Sequence, residues 1–491
     1  MTRLPTLLLT ALALVAAVRA AAETPAVDLP RIGEPADTVM SPLEEHKIGS
    51  RVTAQLYQYE YILEDSEITD YVSSLTWRLV AASESEAPKI TVYAIRDPRI
   101  NAFALPGGYM GVNAGLLTAA RNESELAGVM AHELAHVTQR HLARTIEGTQ
   151  TANLATWATV LAAIIAASAN PEVVIAALSI GQATTYQREV NFTRAHELEA
   201  DRIGIRTMAR ANFDPEGVAT FFVRLEQQSR LYGNQVPEFL RTHPVNTTRI
   251  SEARTRAAAL PKAKIKDPLE FSLMQARARV LTAERVSQAA EYFKGHLAGG
   301  STGTTATANR YGLAMCYHKL GDFARAAETL KPALEAYPRQ ANLTMLQSRI
   351  QLARGDTGPA LAGLARTLEL FPRYAPAILE YADALIAAGK PDEARQVLLS
   401  HEQALGTRMD TYRLLAYAAR DAGQTTEAQY QMANYLFARG DGAGALAQLD
   451  AALRVSTLSQ QERSKLRARR QEIAELAKEY LPKQRPGGDQ Q

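Results

Sequence analysis

Apolar positions along the chain follow several spacings, and each spacing predicts a different kind of element. Residues 42–59 and 66–82 carry helical spacing, seen in Ile68, Val72, Leu75 and Leu79 of the second stretch. The run KITVYAI at 89–95 reads as a strand. Residues 101–105 and 109–113 read as two more, joined at Pro106-Gly107-Gly108 as a hairpin. The stretch 122–147 then predicts one helix of about seven turns. Asn122 can cap its start with Glu125 three residues on, and Gly148 can end it. Its small residues Ala127, Gly128, Ala131 and Ala135 permit close approach by other elements. Residues 152–182 hold one charged residue, Glu172, and the apolar run before Asn170-Pro171 is shorter than the ~20 residues a membrane span requires. A buried helical hairpin or a cover over the site is the expectation there, with a peripheral membrane contact as the alternative. Residues 193–210 predict a further helix, which Thr193 can cap. Asn212-Phe213-Asp214-Pro215 ends it and starts the next, and 246–259 is helical again.

After 260–267, with Pro261 and three lysines, the pattern becomes periodic, which marks a domain boundary. Gly321, Gly355, Gly389 and Gly423 recur every 34 residues, each followed five residues later by alanine: Ala326, Ala360, Ala394 and Ala428. Pro338 and Pro372 keep the same period. This is tetratricopeptide (TPR) spacing, helix–turn–helix with a small residue where the pair packs. Gly440 and Ala445 repeat the offset, and a degenerate unit is expected around 274–297. The fold class is therefore mostly α: an α+β domain with a small sheet, followed by an all-α TPR solenoid with a concave face for proteins or peptides.

Composition adds the compartment. Of the residues, 46% are hydrophobic and 22% charged, ordinary for a globular chain, and a net charge of +2 argues against nucleic acid as a partner. Arg3, an apolar run over 7–18 and small residues at 18–22 read as a secretory signal peptide, 1–22. The domains expected after it are 23–262, 263–480 and a disordered tail, 481–491. Cys316 is the only cysteine, so no intramolecular disulfide forms.

Chemistry concentrates in the 122–147 helix. His132-Glu133-Leu134-Ala135-His136 is an HExxH signature. Positions four apart share a helical face, so His132 and His136 suit one tetrahedral Zn²⁺, and Glu133 can act on a water beside it. Gln139 and Leu142 exclude the longer HExxHxxGxxH pattern, and on a continuous helix His141 faces away from His136. Glu197 and Asp201 share a face of the 193–210 helix, where they repel unless a cation or an imidazole lies between them, and Glu199 points elsewhere. Spacing alone does not choose a third ligand among Glu197, Glu199 and Asp201. Pro244 holds His243 extended, where it can reach the metal or an oxyanion, and Arg249 ranks lower. The strand at 109–113 can present an unpaired edge to an extended peptide, with Gly111, Val112 and Asn113 as the expected substrate-binding residues.

Taken together, the HExxH helix, the ELEAD helix at 197–201, the NAFALPGG hairpin at 101–108, Gly111-Val112-Asn113, the 241–244 stretch and the TPR tail resemble the BepA-type branch of the HtpX/BepA zinc metallopeptidases. The resemblance implies a zincin-like peptidase domain holding one Zn²⁺ per chain, with Glu197 as third ligand and Asp201 orienting a ligating histidine. It also implies a periplasmic address and work on outer-membrane protein assembly and quality control, with the TPR array docking on the assembly machinery. On this reading Glu133, Asp201 and His243 are the catalytic residues, and protein or peptide chains are the substrates. The rival is a non-proteolytic TPR chaperone or scaffold for the same assembly process.

Overall fold

The computed structural model describes residues 40–146, 194–232, 237–262, 268–406 and 408–480. Local sequence sets the first elements. The Ser41 hydroxyl accepts from the Glu44 amide at 3.3 Å while the Glu44 carboxylate accepts from the Ser41 amide at 2.8 Å, a reciprocal cap that starts α1, Pro42–Gln58. Asp65 caps α2, Ser66–Ala82, by accepting from the Ile68 amide at 3.0 Å. Three short strands follow, β1 Thr91–Ile95, β2 Ala102–Leu105 and β3 Tyr109–Asn113. Gly107 and Gly108, at φ +75° and +87°, make the turn between β2 and β3.

The strand order corrects one expectation. The sheet runs β1-β3-β2, with β3 parallel to β1 and antiparallel to β2. After β1 the chain crosses to the outside, lays down β2, and returns through the glycine turn to the middle. Tyr109–Asn113 is thus paired on both sides and wholly buried. Gly111, Val112 and Asn113 offer no edge to a peptide. The outer edge belongs to β2. The Asn113 amide donates to the Asn101 carbonyl at 3.0 Å. Alternation along an antiparallel pair then turns the backbone groups of Ala102 and Ala104 outward.

Next come α3, Ala114–Ala119, and α4, Glu123–Thr138, which runs beside β2. The single helix expected over 122–147 is broken. Gln139 ends α4, Arg140 takes φ +51°, and α5, His141–Ile146, starts in a new direction. No glycine or proline marks the break. Tertiary contact imposes it, with the Arg140 guanidinium donating to Glu45 at 2.9 Å. Then come α6 Arg194–Arg210, α7 Glu216–Tyr232, α8 Glu238–Thr242 and α9 Thr247–Ala258. The signal peptide, Gly148, the 152–182 segment, Thr193, most of the 260–267 boundary and the 481–491 tail lie outside the described residues.

Helix pairs follow: Leu269–Leu281 with Val286–Ala298, Gly303–Lys319 with Phe323–Ala336, Ala341–Ala353 with Thr357–Leu370, Ala375–Ala387 with Pro391–Ser400, and Met409–Asp421 with Thr425–Ala438. Gly321, Gly355, Gly389 and Gly423 all take positive φ just after the first helix of a pair, where an L side chain is strained. Ala326, Ala360 and Ala394 are buried where the pairs pack, while Ala428 is half-buried. Helices Gly442–Leu453 and Gln460–Tyr480 close the described array.

The array is fastened to the first domain at both ends. One continuous apolar core runs from Leu63 and Met130 through Phe271 and Tyr311 to Ile350, whereas the later repeats have separate cores. First helices of successive pairs converge on the start of α2. Arg277 grips Asp65 at 2.7 Å and Glu67 at 2.8 Å, and Arg349 meets Glu67 at 2.7 Å. At the far end, Lys47 and Arg51 of α1 hold Glu479, by its carboxylate at 2.6 Å and its carbonyl at 2.8 Å.

Candidate metal centre

The Asn122 side chain starts α4 by accepting from the Glu125 amide at 2.8 Å. Residues 125–137 of the helix are then buried without interruption. Small side chains let α6 lie against it. A Cβ on Gly204 would stand 3.1 Å from the Ala131 carbonyl carbon and the His132 nitrogen, so the bare glycine sets the approach of the two helices. That approach brings the ELEAD face of α6 up to the HExxH face of α4. The short helix α8 is tied to the loop before β2 by the Phe239 amide, which donates to the Ile100 carbonyl at 3.2 Å. At its end His243 turns inward, stacked on Phe239 with centroids 4.9 Å apart.

His132, His136, Glu197 and His243 meet, all buried, with one donor atom from each within 4.8 Å of the others. The two Nε2 atoms of His132 and His136 are 3.0 Å apart. Each lies 3.5 Å from a Glu197 oxygen. His243 Nδ1 is 3.3 Å from His132 Nε2 and 3.0 Å from Glu197 Oε1. Donors bound at about 2.0–2.1 Å in a tetrahedron stand roughly 3.3 Å apart. The four groups fit a zinc-sized cation by spacing and by chemistry, three imidazoles and a carboxylate. Glu133 stands beside them. Both its oxygens are buried with no hydrogen-bond donor among the described residues, and His243 Nε2 is 3.4 Å away.

A shell of charge supports these groups. His132 Nδ1 lies 2.9 Å from Asp201, and Arg249 clamps Asp201 with two nitrogens at 2.7 and 2.8 Å and Glu197 with a third at 2.7 Å. Burial alone lowers the affinity of His132 for a proton, yet the Asp201 and Glu197 carboxylates lift its pKa to about 10. His136 is pushed well below the usual histidine range by burial and then by the neighbouring His132. Burial raises Glu197, but His243 and His132 outweigh it and hold the carboxyl well below its ordinary value. A divalent ion held by these four groups would take the place of their protons.

Two further residues, Arg249 and His141, join the cluster. Arg249 is buried and anchors two carboxylates. The available signal was an arginine on the helical face that Ala253 and Ala257 mark as buried. His141 does not face away from His136, because the break at Arg140 brings its Nδ1 to 2.9 Å from His136 Nδ1. Burial and then His196, which stacks on it at 4.4 Å, push His141 down to about 4 against the pull of Glu199, which keeps it neutral.

Fold and site together define a helical metallopeptidase carrying a TPR solenoid. Residues 66–257 match the model of Peptidase family M48, and 280–350 and 351–407 match a tetratricopeptide repeat model. The chain is 34% identical over 371 residues to the beta-barrel assembly-enhancing protease of Escherichia coli (strain K12), covering 75% of each. With the protein of the same name from Yersinia pestis it shares 33% identity over 430 residues, 85% of this chain and 86% of that one. The mitochondrial metalloendopeptidase OMA1 of Schizosaccharomyces pombe is 34% identical over 198 residues, 40% of this chain and 55% of the relative. The chain belongs to peptidase family M48 and is a metallopeptidase with a C-terminal TPR array. Among the described residues no helix is long and apolar enough to cross a membrane.

Proposed function

We propose that this chain is a zinc endopeptidase of the periplasm that cuts protein substrates during assembly and quality control of outer-membrane β-barrels. The address rests on the signal-like residues 1–22 and on the relatives named as assembly-enhancing proteases. The peptidase domain is assigned to 23–262 and the TPR domain to 263–480. The repeats belong to a protein-binding class, so the assembly machinery is the assigned partner. One observation carries the catalytic reading. A buried carboxylate, Glu133, with no hydrogen-bond donor among the described residues, stands against four ligand-type atoms within 4.8 Å of one another.

In this reading His132, His136 and Glu197 hold zinc. Bound zinc makes a water acidic at neutral pH and stabilises negative charge on the carbonyl oxygen under attack. Glu133 takes the proton of the attacking water and delivers it to the leaving amine nitrogen. Neither oxygen accepts a hydrogen bond among the described residues, which leaves both available for this. The Asp201 carboxylate, 2.9 Å from His132 Nδ1, favours a hydrogen on that nitrogen and would leave the Nε2 lone pair free for a metal. His243 would supply a fourth donor to a bound ion, and its imidazole, 3.4 Å from Glu133, would be near enough to assist an oxyanion. An extended substrate adds to the outer edge of β2, at Ala102 and Ala104.

The test compares Glu133→Gln with the parent on casein while zinc content is measured. Loss of cleavage with about one zinc retained per chain is expected. Unchanged cleavage overturns the reading. A variant that cannot cut yet still supports outer-membrane protein assembly in cells makes the chaperone role a separate activity.

A further inference from the structure

His132 has a carboxylate directly behind it, Asp201, 2.9 Å from its Nδ1. Behind His136 stands another imidazole. His141 Nδ1 lies 2.9 Å from His136 Nδ1, and on the other side of the ring His141 Nε2 lies 3.2 Å from Glu199 Oε2. The Arg144 guanidinium, one turn further along α5, donates to the same Glu199 oxygen at 3.2 Å. His196 stacks flat on the His141 ring, 4.4 Å between centroids and 10° between planes. His141 is fully buried.

The proton positions follow from these contacts. An ionised carboxylate only accepts, so His141 Nε2 carries the hydrogen that Glu199 receives. A neutral imidazole has one N–H, which leaves His141 Nδ1 with a lone pair. That lone pair accepts from His136, so the His136 hydrogen is on Nδ1 and its lone pair is on Nε2. His136 Nε2 is the atom 3.0 Å from His132 Nε2 and 3.5 Å from Glu197. On an unbroken helix a residue five positions on is rotated about 140° away. The turn at Arg140, held by Glu45, is what swings His141 behind the ligand.

We propose that His141, oriented by Glu199, is a positioning residue that fixes the tautomer and ring angle of His136 for the metal. This rests on the zinc-site reading above. It makes the two histidines differently supported, His132 by a carboxylate and His136 by a carboxylate acting through an interposed imidazole. Loss of such a partner typically weakens metal affinity about 10- to 100-fold.

Zinc affinity of the full-length protein is measured by chelator competition for His141→Leu, His141→Gln, Glu199→Ala and His136→Ala, and the visible spectrum of each is recorded with Co²⁺. His141→Leu, which cannot accept, is expected to bind zinc about 10- to 100-fold more weakly and to shift the Co²⁺ bands. His141→Gln, whose amide oxygen accepts from His136, is expected to recover most of the affinity. Wild-type affinity and spectrum in His141→Leu, or equal weakness in Leu and Gln variants, overturns the proposal. If His141→Leu does not fold, the half-exposed Glu199 decides. A several-fold loss in Glu199→Ala sustains the proposal and no loss overturns it. Wild-type affinity in His136→Ala brings down the metal-centre reading itself, a failure distinct from the others.

Discussion

Two glutamates of this molecule are equally buried, Glu67 and Glu133, each 0% exposed. Glu67, at the junction of the two domains, is surrounded by donors. Arg277 and Arg349 reach one oxygen at 2.8 and 2.7 Å, and Asn342 donates to the other at 2.6 Å. Glu133, in the peptidase domain, has no hydrogen-bond donor on either oxygen among the described residues. Burying an ionised carboxylate costs several kcal/mol unless it is paired. At the junction the protein supplies that pairing itself. At the cluster one carboxylate has no hydrogen bond among the described residues and faces His243 at 3.4 Å, with three imidazoles and Glu197 grouped beside it. A completed network is what structure requires, and an incomplete one beside ligand atoms is what a metal and a reactive water require.

The same small change at each site separates these roles most sharply. Glu133→Gln is expected to lower the rate of peptide cleavage by about 10²–10⁴-fold, the usual share of a general base, while the melting temperature holds or rises. A variant that loses stability in step with activity would make Glu133 a structural residue like Glu67. Glu67→Gln leaves Arg277 and Arg349 short of a charge. It is expected to cost about 3–5 kcal/mol in denaturant titration, with kcat per folded molecule unchanged. If stability is kept, the junction is not the completed network that its geometry describes.

Removing the metal extends the comparison to pH. In the folded metal-free chain the His132 pKa is raised from 6.5 to about 10. Its contribution to stability is therefore complete below about pH 6.5 and is lost as pH rises through about 10. Thermal melts of chelated protein should fall across that window, and zinc-loaded protein should resist the fall. Zinc uptake at neutral pH should release protons, measurable in weakly buffered solution. Identical pH profiles with and without zinc would break the link between His132 and the ion. The smallest effect belongs to Arg408→Ala, whose ion pair with Asp70 lies at the partly exposed rim of the junction. Under about 1 kcal/mol is expected there, and a larger loss would extend the buried network to the rim.

Legibility from sequence followed the range of the interaction involved. The 34-residue period of Gly321 through Gly423 is local, and each glycine stands where a helix must end. His132 with His136, and Glu197 with Asp201, were readable because helical period alone puts each pair on one face. Strand order was not readable, because nothing within Tyr109–Asn113 says that β2 passes outside it. The position of His141 depends on Arg140 being held by Glu45, a partner 95 residues away. Arg249 has the same difficulty, since its partners Asp201 and Glu197 are on a different helix.

The fastening of the array at both ends has a mechanical consequence. Repeat solenoids commonly lengthen and shorten like springs, because each unit touches only its neighbours. Here Gln275 in the first helix Leu269–Leu281 donates to the carbonyls of Leu117 and Ala120 at 2.9 and 2.6 Å, while Glu479 near the other end is held by α1. Both grips are on the peptidase domain, so a change in pitch would have to be absorbed within a closed loop of contacts. A protein seated among the repeats would load α1, which touches the central strand of the sheet through the stacked rings of His46 and Tyr109.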